Sequence, residues 1–242
     1  MGAGQPIARA EYLRALGIDL WVPRAAVAPA LQPETPIEDP AASLVPTAAR
    51  APVEDWETVR AQVAACTKCG LHAGRTQTVF GVGNTAADWL VIGEAPGAEE
   101  DRQGEPFVGR AGQLLNAMLR AIGQPRATVY IANILKCRPP GNRDPRPDEV
   151  ASCLPYLHRQ IALLQPKLIL AVGRIAAQNL LATDMPLARL RGRVHQFGER
   201  PTPLIITYHP AYLLRSPADK RKAWEDLKFA RATYRQLVRG VA

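Results

Sequence analysis

Apolar positions recur along this chain in two rhythms. From about residue 55 onward, short unbroken apolar runs alternate with stretches whose apolar residues return every three to four positions. The unbroken runs are 89–93 (WLVIG), 128–135 (TVYIANIL), 167–173 (KLILAVG) and 204–207 (LIIT). Runs rich in Ile, Leu and Val, apolar on both faces, suit parallel strands buried between helix layers. The helical rhythm falls on 55–65, 109–122, 148–164, 174–181 and 219–238,. Strand–helix alternation of this kind predicts an α/β fold: a three-layer α/β/α sandwich with a central, mostly parallel four-stranded sheet. Ligands of such sheets bind beyond the carboxyl ends of the strands, so chemistry is sought just after each run.

The first 54 residues follow neither rhythm for long. Residues 9–21 place Tyr12, Leu13, Leu16 and Leu20 at spacings that suit a short amphipathic helix,. In residues 22–54, seven Pro and nine Ala fill 16 of 33 positions without periodicity, which reads as a semi-rigid extended linker,. The predicted organisation is therefore a short N-terminal segment (1–21), a Pro/Ala-rich arm (22–54) and one globular domain (55–242).

Charge sharpens that division. The chain of 242 residues carries a formal net charge of +8. Residues 1–54 hold four Arg against six Asp and Glu, a net of −2, so the domain carries +10. Of the 30 basic residues 24 are Arg, whose planar fork suits phosphate,. A GC-rich genome would also raise Arg, Ala and Pro together, but it does not account for the +10. A hydrophobic fraction of 47% argues against global disorder,. No apolar run reaches the roughly 18 residues of a membrane span. Glu11 and Asp19 interrupt any signal-peptide pattern, which leads us to expect a cytoplasmic protein,.

The residues after the predicted strands are chemically rich. Gly93-Glu94-Ala95-Pro96-Gly97 follows the first strand, with Glu99, Glu100 and Asp101 just beyond. The second strand contains Asn133 and leads into Lys136-Cys137-Arg138-Pro139-Pro140. The fourth ends at Tyr208-His209-Pro210-Ala211-Tyr212. Four cysteines stand at 66, 69, 137 and 153. One C-x-x-C pair plus two distant cysteines suits tetrahedral Zn or a 4Fe–4S cluster, and four thiolates do not decide between them; the plainer alternative is that two or more of the cysteines are inert.

These pieces together resemble the family 4 uracil-DNA glycosylases, the iron–sulfur branch found in bacteria and archaea. The resemblance runs in order from about residue 55 to 237. It includes CTKC, VFGVGN, GEAPGAEED, GEPFVGRAGQLL, YIANILKCRPPGNRDP, the cysteine at 153 and YHPAYLLRSP. It implies that Cys66, Cys69, Cys137 and Cys153 hold a 4Fe–4S cluster with a structural role. It also implies excision of uracil from DNA, leaving an abasic site in base excision repair. The alternative is an iron–sulfur DNA-binding or damage-recognition module without turnover. A superfamily branch that traps uracil-DNA covalently carries an inserted KRRIH loop. The segment 136–144 has no such insertion, which favours turnover.

Roles for single residues follow from the same resemblance. His209 matches the donor to uracil O2, where negative charge develops as the base leaves. Asn133 matches the base-reading amide, able to accept from N3–H and donate to O4. Phe107 matches the aromatic on which the flipped base stacks, and Gly93 and Ala95 line the same pocket. The best-studied relatives carry an Asp where this chain has Ala95, so Glu94 and Glu100 become the acidic candidates for orienting water or stabilising the sugar cation. Arg138, Arg143 and Arg215 suit phosphate contacts. Tyr212, Leu213 and Leu214 suit an apolar wedge into the emptied base stack, or else a core-facing helix cap. The expected partner is uracil-containing DNA, bound by a monomer. Residues 16–24 (LGIDLWVPR) also resemble the N-terminal docking peptide of a clamp-loader psi subunit. That implies a replication-protein partner through residues 9–24, against the plainer reading of a self-packing or disordered tail.

Overall fold

The structure is a computed structural model that describes residues 55–240. The segments 1–21 and 22–54, with the docking peptide expected at 9–24, lie outside the described residues.

The domain begins at helix α1 (Trp56–Ala64). Asp55 caps it: Oδ1 accepts from the Thr58 N–H at 2.7 Å, satisfying one donor of the free first turn,. Strands β1 (Val82–Gly83) and β2 (Trp89–Gly93) follow, then α2 (Ala98–Gln103) and α3 (Arg110–Ala121). Next come β3 (Tyr130–Asn133), α4 (Pro147–Leu164), β4 (Leu168–Val172), α5 (Arg174–Leu180) and α6 (Leu187–Leu190). The chain ends with β5 (His195–Phe197), β6 (Thr202–Thr207), α7 (Pro210–Arg215) and the long α8 (Lys220–Arg239).

The strands form one sheet in the order β1-β3-β2-β4-β6-β5. The four expected strands are its parallel centre. The sheet has six strands rather than four, because β1 and β5 add short antiparallel edges. Two and three residues, VG and HQF, hold no apolar run that sequence periodicity could detect.

Alternate side chains of each central strand serve opposite faces. Leu90 and Ile92 of β2 join a core with α1, α4 and α5, while Trp89 and Val91 join a second core with α3 and α8. Both faces are thus covered, which is the three-layer α/β/α arrangement. The order of strands reverses at β2: the chain passes to β3 on one side, then crosses to β4 on the other. A crevice opens where connections diverge in this way. Parallel pairing sets Gly93 opposite Asn133 at its floor.

Candidate active site

Four residues meet at the carboxyl ends of the central strands. Gly93 ends β2, Asn133 ends β3, His209 follows β6 and Phe107 lies in the loop between α2 and α3. Gly93 leaves the room they share. A methyl group on it would stand 2.5 Å from Asn133 Oδ1 and 2.6 Å from the Phe107 ring. Asn133 is 2% exposed, and its Oδ1 is buried without a hydrogen-bond donor. A buried acceptor left unsatisfied is costly, so this oxygen is ready for a ligand N–H. Ala95 is half-buried beside the core, where it adds no charge.

His209 caps α7. Its Nδ1 accepts from the Ala211 N–H at 3.1 Å, which fixes the proton of the neutral ring on Nε2,. Burial pushes the imidazole down to about 4, helped by the Arg215 charge and opposed by Glu100. At neutral pH this is an uncharged N–H donor. Its ring centroid lies 5.6 Å from that of Phe107.

Phe107 adopts φ +55°, an unusual left-handed backbone for an aromatic residue, costing about 1–3 kcal/mol,. Surrounding contacts hold it there. Glu100 Oε1 accepts from the N–H groups of Val108 (3.0 Å) and Gly109 (3.2 Å), and Oε2 accepts from Gly97 (3.1 Å). Arg126 donates to the carbonyls of Pro106 (2.7 Å) and Phe107 (3.3 Å). Helix α3 presses against the same peptide: a methyl group on Gly112 would stand 1.8 Å from the Phe107 oxygen. Sequence reasoning misses Arg126, because nothing local marks it.

Glu94 differs from Glu100. It is half-buried, and burial pushes its carboxyl up to about 7, with Asp144 raising it and Arg174 opposing. Arg174 pairs with Asp144 at 2.7 Å.

The four cysteines gather away from this crevice. Cys66 and Cys69 are half-buried and Cys137 and Cys153 buried, all lining one cavity. Arg75 Nη1 donates to Cys137 Sγ at 3.3 Å, and the Lys136 N–H donates to Cys153 Sγ at 3.2 Å. Burial raises both buried thiols, Cys153 to about 11, so a cationic centre would be needed to draw thiolates there,. One tetrahedral ion would hold sulfurs about 3.8 Å apart, from metal–sulfur bonds of about 2.3 Å. Among the described residues no group of three or more His, Cys, Asp or Glu side chains is arranged to hold a single metal ion. Four thiols lining one cavity, with N–H donors on two sulfurs, are a donor set that fits an iron–sulfur group,.

Several expected DNA contacts have other partners. Leu213 is 1% exposed and faces the core, so it is no wedge; the neighbouring Leu214 is 36% exposed. Tyr212 donates to Asp219 at 2.5 Å and stacks on Tyr208. Arg143 is spent on a bidentate pair with Glu149, whose Oε2 also accepts the Arg146 N–H at the start of α4. Arg191, which lies between Arg189 and Arg193, is locked on the buried Asp226 as well. Among the described residues Arg138 gives only its Nε, to Asn142. Arg215 is exposed, and its charge reaches His209.

Residues 80–228 match the family model described as Uracil DNA glycosylase superfamily. The chain is 43% identical to the type-4 uracil-DNA glycosylase of Archaeoglobus fulgidus, over 73% of this chain and 92% of that protein. The chain belongs to the type-4 uracil-DNA glycosylases. Two further type-4 enzymes agree. That of Pyrobaculum aerophilum is 42% identical, over 72% of this chain and 91% of its own length. That of Thermotoga maritima is 41% identical, over 74% and 94%. Likeness to a type-5 uracil-DNA glycosylase of Thermus thermophilus is thinner, 33% identity over 54% of this chain. The family-model match, residues 80–228, includes the four crevice residues together with Cys137 and Cys153.

Proposed function

We propose that the crevice of Gly93, Phe107, Asn133 and His209 takes a uracil flipped out of DNA. The enzyme hydrolyses its N-glycosidic bond, releases uracil and leaves an abasic site, as a monofunctional step of base excision repair. The carrying observation is the unsatisfied Asn133 Oδ1 on the pocket floor, an acceptor awaiting the N3–H that uracil has and cytosine lacks,. Flipping is required because a stacked base cannot reach the pocket.

Phe107 stacks on the base. His209 donates from Nε2 to O2, where negative charge grows as the bond lengthens. A neutral donor is preset for that charge without carrying a proton away, and such donors are worth roughly two to three decades in rate. Glu94, near 7, is ionised in part at neutral pH and either orients water or stabilises the positive sugar,. Arg215 and Arg138 bind phosphates around the crevice, and Leu214 replaces Leu213 as the wedge.

Cys66, Cys69, Cys137 and Cys153 would hold a 4Fe–4S cluster. Bound, it supplies a structural cross-link between the end of α1, the loop after β3 and helix α4. The enzyme acts as a cytoplasmic monomer, with residues 9–24 left for a replication-protein partner.

A gel assay on a uracil-containing oligonucleotide, followed by alkali, tests the reading. Cleavage at the uracil position, absent from a thymine control, is expected. A folded, cluster-loaded enzyme that leaves the uracil strand intact would overturn it.

A further inference from the structure

Phe107 is the only described residue of the crevice whose backbone is left-handed without being glycine, and two opposite charges grip the peptides on either side of it. Glu100 takes the N–H groups that follow the residue, while Arg126 takes the carbonyls that precede and belong to it. We propose that Arg126 and Glu100 act as a paired clamp that presets the Phe107 ring as the stacking surface for the flipped base. Both are positioning residues, not catalytic ones. This rests on the reading of Phe107 as the stacking residue.

The geometry explains why two clamps are needed. A left-handed aromatic would relax to an extended or helical backbone if released, and the ring would leave Gly93 and His209. Gly112 lets α3 abut the Phe107 carbonyl, so the peptide has a wall behind it but no bond that fixes its orientation. Arg126 supplies that bond. It reaches the loop from the turn before β3, the strand that carries Asn133, and also contacts Asn116 Oδ1 of α3 at 3.4 Å. One guanidinium therefore ties the stacking loop, helix α3 and the base-reading strand. Burial of Arg126 lowers its pKa somewhat, with Glu105 at 3.9 Å opposing. Glu100 has both oxygens committed to backbone donors, which leaves it poorly placed to activate water.

A double-mutant cycle tests the clamp, read as single-turnover excision rates and as affinity for abasic product DNA, with thermal melts throughout. R126Q is expected to slow excision roughly 10–100-fold, the usual penalty for a small misplacement of a reacting group. Affinity for product DNA, where no base stacks, should stay within about twofold. R126K should recover part of the rate, since one ammonium can still reach one carbonyl. In an F107A background R126Q should add less than about threefold, and E100Q should behave likewise. If R126Q slows F107A as much as wild type, Arg126 acts by another route and the clamp is overturned. If F107A alone excises uracil at the wild-type rate, the stacking reading itself falls. If R126Q melts early, R126K in both backgrounds carries the same test, and equal slowing in each overturns the clamp.

Discussion

Replacing Glu94 with Gln should make the protein more stable above pH 7 and less active there. The carboxyl moves from an ordinary 4.5 to about 7 because burial disfavours its charge, Asp144 repels it and Arg174 compensates only in part,. The folded state therefore binds a proton more tightly than the unfolded chain does. That contribution to stability is fully present below 4.5 and disappears as pH rises through 7. At about 1.4 kcal/mol per pH unit the full difference is roughly 3 kcal/mol. Water reaching the half-buried group screens part of it, leaving about 1–2 kcal/mol. The amide of the E94Q variant would keep the neutral shape at every pH.

Urea unfolding of wild type and E94Q at pH 5 and pH 8.5 measures the difference directly. The two proteins should differ little at pH 5, and E94Q should gain about 1–2 kcal/mol over wild type at pH 8.5. Single-turnover rates should show the reverse: wild type climbs as pH passes 7, while E94Q stays low and flat, down by roughly 10–100-fold. An equal stability difference at both pH values would refute the assignment of a raised, buried carboxyl. A wild-type rate that ignores pH between 5.5 and 8.5 would refute its place in the chemistry.

G93A should lose excision by more than about 100-fold at a cost of about 1–3 kcal/mol in stability, since the added methyl lands 2.5 Å from Asn133 Oδ1 and fills the base site,; uracil release and melting curves check both halves. C153S should lose iron and visible absorbance together with thermal stability, and a C153S protein that melts like wild type would remove the structural role of the cluster. R215Q should weaken DNA binding and shallow its salt dependence by about one phosphate contact. R191Q should leave that slope alone while destabilising the fold by about 3–5 kcal/mol, because it strands the buried Asp226,.

The parts of the molecule visible in sequence are those governed by local pattern. WLVIG and LILAV are apolar at every position because β2 and β4 are covered on both faces, so those strands are legible. Helix α2, AEEDRQ, has no apolar stripe and is invisible to periodicity. In the short α7 a phase error of one residue separates the buried Leu213 from the exposed Leu214, and nothing in LLR sets that phase. The basic residues show the same limit. Arg143 and Arg215 look alike in sequence, but folding brings Glu149 to one and leaves the other in solvent. A left-handed Phe107 and its Arg126 clamp are a matter of backbone dihedral and of contacts 19 and 20 residues apart, which no periodicity encodes.

Burial is the largest cause of opposite shifts in two groups at this end of the sheet, with neighbouring charges adding to it. The low-dielectric end of the sheet disfavours charge of either sign. It raises the Glu94 carboxyl to about 7 and lowers the His209 imidazole to about 4,. Opposite shifts leave the two groups in complementary states at neutral pH: His209 stays an uncharged donor while Glu94 can still ionise, which is what the proposed roles at the leaving base and the sugar require,. Exposing the crevice to water would return both groups toward their ordinary values. The histidine would then move toward protonation near neutral pH and the acid would be ionised throughout. A loop that keeps the Phe107 ring packed against His209 thus helps to bury that imidazole as well as to place the stacking surface, and that links the clamp to the proton state of the histidine.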